Sequence, residues 1–319
     1  MTSARPLALA LALLAPTAAA ARFPFGGDPA DCSLAETVPD PIYAPSNGVL
    51  TVQVVVHVIA NGTCALGDLP DDVVADQIEV LREDFLALPG TPGAAGADTG
   101  IRFVLASVDP DGEPTDGIEH YCDELWYQDD APYWETIAWD PARYLNLYVN
   151  TADNARGYVP VLPATPGAPN GLPEDRVVIN TLAFGRQNPP PIPHHAGGRT
   201  STHEIGHYLG LFHTYFDGCG TAAPPGCYTS GDRICDTAPD AAAQDVCPVG
   251  ATSCGGFLSP IDNYMQLTDD PCLTGFSAEQ GMRMRCTLMH YRPGLLGPQA
   301  LFLDDFELGD LSRWSSTSP

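Results

Sequence analysis

Apolar residues follow two different periods along this chain, and each period predicts its own kind of element. The stretch Val49–Gly62 is almost continuously apolar, rich in β-branched residues and flanked by Asn-Gly pairs, which is typical of a buried strand. Residues 69–88 instead place apolar side chains at helical spacing behind acidic residues in the first turn, which predicts an amphipathic helix. The apolar positions of this helix are Val73, Val74, Ile78, Leu81, Phe85 and Leu88.

Three further segments predict strands, namely Gly100–Asp109, Tyr144–Asn150 and the beginning of Asp175–Gly185. Strands and helices in this order favour a mixed α/β sheet domain, and the sequence contains no internal repeat. His57 lies inside the first strand, where we expect a histidine packed in the core rather than a metal ligand. The 319 residues suffice for one large domain or two modest ones with a sizeable core.

The amino-acid composition and the net charge limit the classes of fold and of binding partner that we expect. Glycine and proline contribute 31 and 32 residues, which favours a loop-rich fold over a helical bundle. The formal charge is −26, and the 14 strongly basic residues are all arginine. Such a surface repels phosphate backbones and anionic lipid, so a nucleic-acid partner is not expected. It is compatible with calcium, which prefers carboxylate and carbonyl oxygens.

The two ends of the chain differ from its middle. Residues 1–21 combine a short apolar run, Leu7–Leu14, with alanines that offer cleavage sites, which predicts a signal peptide and a secreted, extracellular protein. The run is well short of the ~20 apolar residues that span a bilayer, and no later segment is apolar enough to do so. Residues 22–47 carry no periodic pattern and are interpreted as a pro-segment or a loose N-terminal arm. Residues 293–319 are interpreted as a C-terminal tail.

Ten cysteines follow the predicted signal peptide, an even number that indicates disulfides in an exported chain. Seven of them fall between Cys219 and Cys286, which predicts an irregular, cross-linked region. A cysteine metal site is the weaker alternative in an oxidising compartment. The ten residues are Cys32, Cys64, Cys122, Cys219, Cys227, Cys235, Cys247, Cys254, Cys272 and Cys286.

The stretch HEIGHYLGLFH, residues 203–213, has the spacing of a catalytic zinc site. On a helix, His203 and His207 are one turn apart on one face, so both imidazoles can reach one zinc ion, while Glu204 points to the flank of the pair. An ordinary amphipathic helix is the alternative. Gly210 can end the helix in a left-handed conformation and return His213 to the same metal. The whole pattern is the metzincin zinc signature.

A metzincin also requires a methionine in a later tight turn, and Met265 in the segment NYMQLTDDPC meets this requirement. Together with residues 198–215 and with GDRICDTAPD, residues 231–240, this segment resembles the pappalysin family of metzincin zinc metalloproteases. The resemblance covers residues 49–292. It implies a metzincin fold, with a twisted mixed sheet, a backing helix, an active-site helix and an irregular, disulfide-rich C-terminal subdomain. The catalytic domain would then span residues 48–292, with an upper part to about residue 210 and a lower part from 211 to 292.

The resemblance also implies roles for individual residues. His203, His207 and His213 match the zinc ligands, with a fourth position open for water. Glu204 matches the general base that takes the water's proton and delivers it to the leaving amine. Met265 matches the residue that packs beneath the metal. The family usually has a tyrosine two positions after this methionine, where the present chain has Leu267.

Further positions match a calcium segment and a disulfide of the family. Asp232, Asp236 and Thr237 match residues that bind calcium through side chains and backbone carbonyls; a solvated acidic loop is the alternative. Cys254 and Cys272 match positions that are joined in the family, which leaves Cys247 to pair with one of Cys219, Cys227 or Cys235.

The function expected is a secreted zinc endopeptidase that acts on protein or peptide substrates as a monomer. Two alternatives are a secreted binding or adhesion protein that keeps the zinc site with little turnover, which Leu267 favours, and a purely structural zinc site. Intact Glu204 argues against the first and the open fourth position against the second. Cys32 has two interpretations, a thiolate that blocks the zinc until the arm is cut, or a disulfide to Cys64 or Cys122.

Overall fold

The computed structural model of the chain describes residues 26–187 and 194–301, with side chains up to residue 297. The predicted signal peptide, residues 1–21, lies outside the described residues, as does most of the predicted tail. Within the described residues, no helix has both the length and the apolar character needed to cross a bilayer. The helices are α1 (Asp71–Phe85), α2 (Glu124–Tyr127), α3 (Trp134–Ile137), α4 (Arg199–Tyr208) and α5 (Ala278–Tyr291). The strands are β1 (Leu50–Ala60), β2 (Ile101–Leu105), β3 (Ile118–Cys122), β4 (Leu145–Asn150), β5 (Gly157–Tyr158), β6 (Val177–Asn180), β7 (Thr252–Ser253) and β8 (Phe257–Leu258).

The upper part is built on a mixed sheet with strand order β2-β1-β4-β6-β5. The first half of β1 pairs with β2 and its second half with β3, and β4 lies on its other side, all in parallel. Strand β5 runs antiparallel to β6 and forms an edge of the sheet. The predicted mixed α/β architecture is therefore confirmed, and β1, α1, β2, β4 and β6 each lie within the segments that predict them.

Side chains of β1 alternate between the two faces of the sheet, as the two-residue period of a strand requires. Val54, Val56 and Val58 face the main core, which also contains Leu81 of α1 and Ile205 of α4. The opposite face is covered by aromatic residues around α2 and α3. The helix α1 is the predicted backing helix, and α4 is the predicted active-site helix.

His57 points to the aromatic face and is fully buried, as expected for a core histidine. Its Nε2 bonds to Oδ1 of Asn146 on β4 at 2.9 Å, and its ring stacks on Tyr148 with centroids 4.6 Å apart. Burial lowers the pKa of His57 to about 4, against the Asn146 hydrogen bond, so the ring is neutral.

The interpretation of residues 22–47 as a loose arm is wrong for the described part, residues 26–47. Tyr43 is fully buried and Cys32 is 1% exposed, in a disulfide with Cys286 of α5. The buried guanidinium of Arg283, also on α5, donates through Nη2 to Ser33 O at 2.7 Å and through Nη1 to Thr37 Oγ1. The segment therefore packs on α5. Cys32 is not a free thiol that could reach a metal, and its predicted disulfide to Cys64 or Cys122 is also wrong.

All ten cysteines are paired, which confirms a disulfide framework, but two more predicted pairings are wrong. Cys254 pairs with Cys219, so the Cys254–Cys272 disulfide is not formed, and Cys272 pairs with Cys247 instead. The backbone explains this exchange: Cys272 N bonds to Asp269 O, and Asp269 N bonds to Val246 O, which brings Cys247 to that turn. The remaining pairs are Cys64–Cys122, beside the ends of β1 and β3, and Cys227–Cys235.

Candidate metal centre and active-site cleft

The helix α4 has no capping side chain of its own, because its N-cap is Gly198 in a left-handed conformation. The carboxylate of Asp270, from the lower part, takes this role. Its Oδ2 accepts hydrogen bonds from Gly197 N at 2.8 Å and from Arg199 N at 3.3 Å. A carboxylate at a helix N-terminus is stabilising because it satisfies free N–H groups and opposes the positive end of the helix dipole. The lower part thereby fixes the start of α4.

Two imidazoles extend from one face of α4, one turn apart. Nδ1 of His203 donates to Tyr264 O at 2.7 Å, and Nδ1 of His207 donates to Leu211 O at 2.8 Å. Because a carbonyl oxygen can only accept, each ring carries its proton on Nδ1 and presents the lone pair of Nε2. These hydrogen bonds orient both rings in the manner usual for metal-binding histidines.

The chain turns back at Gly210, whose φ of +90° favours glycine, and brings His213 to the same point. The three Nε2 atoms of His203, His207 and His213 lie 3.1–3.2 Å from one another. Within the described residues, this is the one group of three or more potential ligand side chains that converge in this way. A tetrahedral zinc ion with bonds of about 2.0–2.1 Å separates its ligands by about 3.3–3.4 Å, so the triad fits zinc after a small expansion.

The electrostatics of the triad agree with this fit. Burial lowers the pKa of His207 to about 4. Burial and the neighbouring His207 lower that of His213 to about 3, and burial with both neighbours holds that of His203 well below its ordinary value. The rings are therefore neutral at pH 7 and offer three converging acceptors. A cation is the partner that such an arrangement requires.

Glu204 is buried beside the triad in a cleft of about 370 Å³. Burial raises the pKa of its carboxyl to about 8, and the charge of Arg156 opposes this rise. A Cβ atom on Gly157 of β5 would lie 2.8 Å from Cγ of Glu204, so only glycine leaves room for the carboxylate at this edge of the sheet. The free edge of β5, the triad and Glu204 thus meet in one cleft.

Met265, the predicted residue of the methionine turn, packs against Gly206 of α4. It is fully buried, and its Sδ occupies the space that a side chain on Gly206 would need. Asn263 Oδ1 accepts from Met265 N at 2.9 Å and closes the turn. Leu267 lines the cleft, whereas the ring of Tyr264 is buried and its hydroxyl donates to Asp84 Oδ1 at 2.7 Å. Tyr264 therefore does not supply the hydroxyl that is absent at position 267.

Asp84 of α1 is a residue of this site that the sequence analysis missed. Besides Tyr264, its fully buried carboxylate accepts from Arg199 Nη2 at 3.1 Å and from Thr202 Oγ1 at 2.7 Å. Burial raises the pKa of Asp84, and the charge of Arg199 opposes the rise. One carboxylate thus joins α1, α4 and the methionine turn. Its signal in the sequence is an acid three residues after Leu81, on the apolar face of the helix.

Of the three residues expected at a calcium site, two line the same cavity and the third lies elsewhere. Asp232 and Thr237 line a small cavity, and Thr237 Oγ1 donates to Asp232 Oδ2 at 2.7 Å. Burial raises the pKa of Asp232 to about 7, against hydrogen bonds from Thr237 and Ile234 N. Asp236 does not line this cavity. Its Oδ2 accepts from Glu279 N at 2.9 Å, at the N-terminus of α5, so its side chain acts as a helix cap.

Comparison with known proteins decides the family. A family model described as pregnancy-associated plasma protein-A, peptidase M43, matches residues 134–289. An extracellular metalloprotease from Verticillium alfalfae is 34% identical over 261 residues, which cover 77% of this chain and 78% of that protein. The chain belongs to the pappalysin family of zinc metalloproteases. Extracellular metalloprotease 1 from Coccidioides posadasii is 29% identical over 79% of this chain and 82% of its own.

Pappalysin-like folds are also found among solved structures. Mirolysin in complex with a compound superposes with a TM-score of 0.65 and 27% identity, over 81% of this chain and 98% of that chain. Mature mirolysin from Tannerella forsythia, in complex with a cleaved peptide, gives a TM-score of 0.62 and 29% identity, over 79% and 99% of the two chains. The metzincin fold expected from the sequence is thereby confirmed, and the curated pappalysin relatives are named as extracellular proteins.

Proposed function

We propose that this pappalysin-family chain is a secreted endopeptidase in which His203, His207 and His213 bind zinc and Glu204 is the general base. The observation that carries the proposal is the convergence of three Nε2 acceptors within 3.1–3.2 Å, beside a buried carboxylate in the same cleft. The extracellular relatives and the solved mirolysin complex with a cleaved peptide support secretion and peptide cleavage.

The residues of the cleft have separate tasks in peptide hydrolysis. His203, His207 and His213 would hold zinc, which would act as a Lewis acid that lowers the pKa of water and polarises a carbonyl group. An extended substrate adds to the free edge of β5, where main-chain hydrogen bonds hold it. A carboxylate oxygen of Glu204 takes the proton of the attacking water and then passes it to the nitrogen of the leaving amine. Tyr264 O and Leu211 O keep the proton of their histidines on Nδ1 throughout.

Leu267 favours a second function, that of a binding protein with little turnover. Its side chain cannot donate a hydrogen bond to the charge that develops on the carbonyl oxygen. However, metal binding alone does not require the buried carboxylate of Glu204, for which the absence of a side chain on Gly157 leaves room. The geometry therefore favours the endopeptidase.

The deciding experiment is a digest of a peptide library with and without a zinc chelator, followed by Glu204→Gln. We expect the variant to retain zinc and to lose at least ~10²-fold in kcat, because a positioned general base contributes at least that much. Glu135→Gln, at an exposed position, is the matched control and should cleave at the parent rate. Equal rates for the Glu204 variant and the parent would refute the assigned mechanism.

We also propose a structural calcium ion in the small cavity of the lower part. Asp232 would supply a carboxylate and Thr237 a hydroxyl, and backbone carbonyls of the surrounding loop would complete the oxygen ligands that calcium prefers. Asp236 acts from outside this cavity by holding the start of α5. The cross-linked loop around Cys219 and Cys227 lines the same cavity, so the ion would join segments that share little regular structure.

A further inference from the structure

Arg156 lies at the rim of the active-site cleft, directly before β5. It is half-buried and lines the cleft together with the triad and Glu204. Its backbone is fixed from β6, because Asn180 N donates to Arg156 O at 2.8 Å and Asn180 Nδ2 donates to Ala155 O at 2.9 Å. The position of Arg156 is therefore determined by the sheet and not by a solvent-exposed loop.

The guanidinium of Arg156 is the uncommitted positive charge of the cleft. The other arginine that lines it, Arg199, is buried and occupied by Asp84 and by Gly197 O at 2.6 Å. Among the described residues, Arg156 has no carboxylate partner, and its Nη1 donates to the ring of His195 at 3.0–3.2 Å. Its Nε and Nη2 stay available, and these two parallel donors match the two oxygens of a carboxylate.

The charge of the whole molecule makes this arginine unusual. The chain has a formal charge of −26, with 40 acidic residues against 14 arginines. A half-buried guanidinium costs desolvation free energy unless an anion offsets it. Glu204, the proposed general base, is one acidic group near it. Asp269 and Asp270 are the others, and each has a carboxylate oxygen 3.7–3.8 Å from a ring nitrogen of His195. None of these carboxylates pairs with Arg156 directly.

The location of Arg156 relates it to the substrate. The outer edge of β5 is unpaired among the described residues, and a peptide that adds there runs past Gly157, which faces Glu204. Arg156 directly precedes this strand, and each residue of an extended chain advances about 3.3 Å. Its guanidinium is therefore within reach of substrate groups about two residues from the bond that is cut.

We propose that Arg156 binds a carboxylate of the substrate, supplied by an acidic side chain within two residues of the scissile bond, on the side of the cleft where His195 lies. The inference rests on the proposed endopeptidase function and names the substrate class of that cleft. Arg156 holds the carboxylate with Nε and Nη2, while Nη1 keeps its hydrogen bond to His195. The surface of this enzyme otherwise repels acidic peptides, so Arg156 admits them at one position.

The test compares peptides that carry Glu or Gln at each of the two positions on either side of the cleaved bond. All are amidated at the C-terminus, and one additional Gln peptide ends two residues past the bond with a free carboxylate. We expect kcat/KM to be roughly 10- to 100-fold higher for Glu than for Gln at one position, the range for a hydrogen bond to a charged group. Preference for the free C-terminal carboxylate alone would identify a terminal carboxylate as the ligand and contradict the side-chain assignment.

Variants assign the preference to the residue. Arg156→Gln should remove the difference in kcat/KM between Glu and Gln peptides, and Arg156→Glu should invert the preference in favour of a Lys peptide. Arg82→Gln, which removes an exposed charge on α1, is the matched control and should keep the parent preference. An equal loss of kcat on all peptides would show that Arg156 acts on the reacting carbonyl, and an unchanged preference would show that it binds no substrate group; either result overturns the proposal.

The peptide measurements distinguish a failure of the Arg156 assignment from a failure of the proposed endopeptidase function. If the zinc-loaded parent cleaves none of the peptides, the endopeptidase proposal fails, and fluorescence anisotropy of labelled Glu and Gln peptides still measures the Arg156 preference as a ratio of Kd values. If the parent cleaves Gln and Glu peptides equally, with full dependence on zinc and Glu204, the endopeptidase stands and the Arg156 assignment is refuted.

Discussion

The upper part of the molecule, up to about residue 210, buries long runs of apolar side chains, whereas the lower part, residues 211–292, is tied together by covalent and polar links. Strand β1 alone contributes Val54, Val56 and Val58 to the core, each fully buried. The lower part contains two strands of two residues, three internal disulfides and α5. Its methionine turn and α5 add buried side chains such as Met265, Met284 and Leu288 to the main core, and the loops between them are held by cross-links and by side chains that bond to backbone.

The proposed metal centre lies where these two parts meet, and both parts contribute residues to it. The upper part provides a regular helix, on which His203 and His207 are one turn apart. The lower part provides His213, the cap of α4 from Asp270, and Tyr264 O as the acceptor for His203. The helix sets the spacing of two of the proposed zinc ligands, and hydrogen bonds from the irregular part orient their rings.

The largest loss of stability is expected when the disulfide that joins the N-terminal segment to α5 is removed. Cys32 and Cys286 are separated by 254 residues, so replacing both by alanine should lower the free energy of unfolding by about 5 kcal/mol in the loop-closure account. Urea unfolding measures the loss. Activity should not rise in the uncleaved protein, because Cys32 is buried in a disulfide and does not block the cleft.

The matched control is the double alanine variant of Cys227 and Cys235, which are only 8 residues apart. Its loss should be about half as large, because the entropy of loop closure depends on the logarithm of the loop length. Equal losses for the two pairs would mean that local packing, not chain closure, determines their contribution. A gain in activity for the Cys32 variant would restore the interpretation of Cys32 as a latency switch.

The same contrast explains how much could be predicted from the sequence. Strand β1 and helix α1 could be predicted because periodic burial leaves a pattern in the apolar residues. The spacing of His203, Glu204 and His207 follows from helix geometry, and Gly210 marks the turn after the helix. Strand β5 has two residues and leaves no pattern, although its free edge forms one wall of the cleft.

The disulfides could be predicted as a set but not as pairs. Pairing depends on which turns lie beside each other in space, as for Cys272, whose turn bonds to Val246 O next to Cys247. The match to the family pattern did not supply this information, since it predicted Cys254–Cys272 where the structure joins Cys272 to Cys247. Asp236 illustrates the same point, since only the structure reveals that it caps α5.

A smaller effect is expected at the junction of the two parts, from Asp84→Asn. The change leaves the buried guanidinium of Arg199 without its charged partner, and breaking a buried pair costs several kcal/mol, here about 3 kcal/mol of unfolding free energy. Zinc should also bind more weakly, because Asp84 holds Tyr264, whose carbonyl orients His203. Competition with a chelator measures the second effect.

Asp72→Asn, on the same helix but exposed, is the control for Asp84 and should change stability by less than about 0.5 kcal/mol. If Asp84→Asn destabilises the fold but leaves zinc affinity at the parent value, the two parts contribute to the metal centre independently. An unchanged stability would contradict the assignment of Asp84 as the link between α1, α4 and the methionine turn.

The smallest effect concerns the proposed calcium ion, which would stabilise the part of the molecule with the least regular structure. A ligand that binds only the folded state adds RT ln(1 + [L]/Kd), so calcium at about 30 times its Kd should add about 2 kcal/mol. For a chain of this size, the melting temperature should rise by roughly 3–4 °C with zinc retained. Asp232→Asn should abolish the rise, because the carboxylate is the charged ligand of the cavity.

Asp245→Asn, at an exposed position of the lower part, is the control and should keep the rise in melting temperature with calcium. A melting temperature that stays constant across millimolar calcium would leave Asp232 and Thr237 as an internal hydrogen-bonded pair, and the disulfides as the sole cross-links of the lower part.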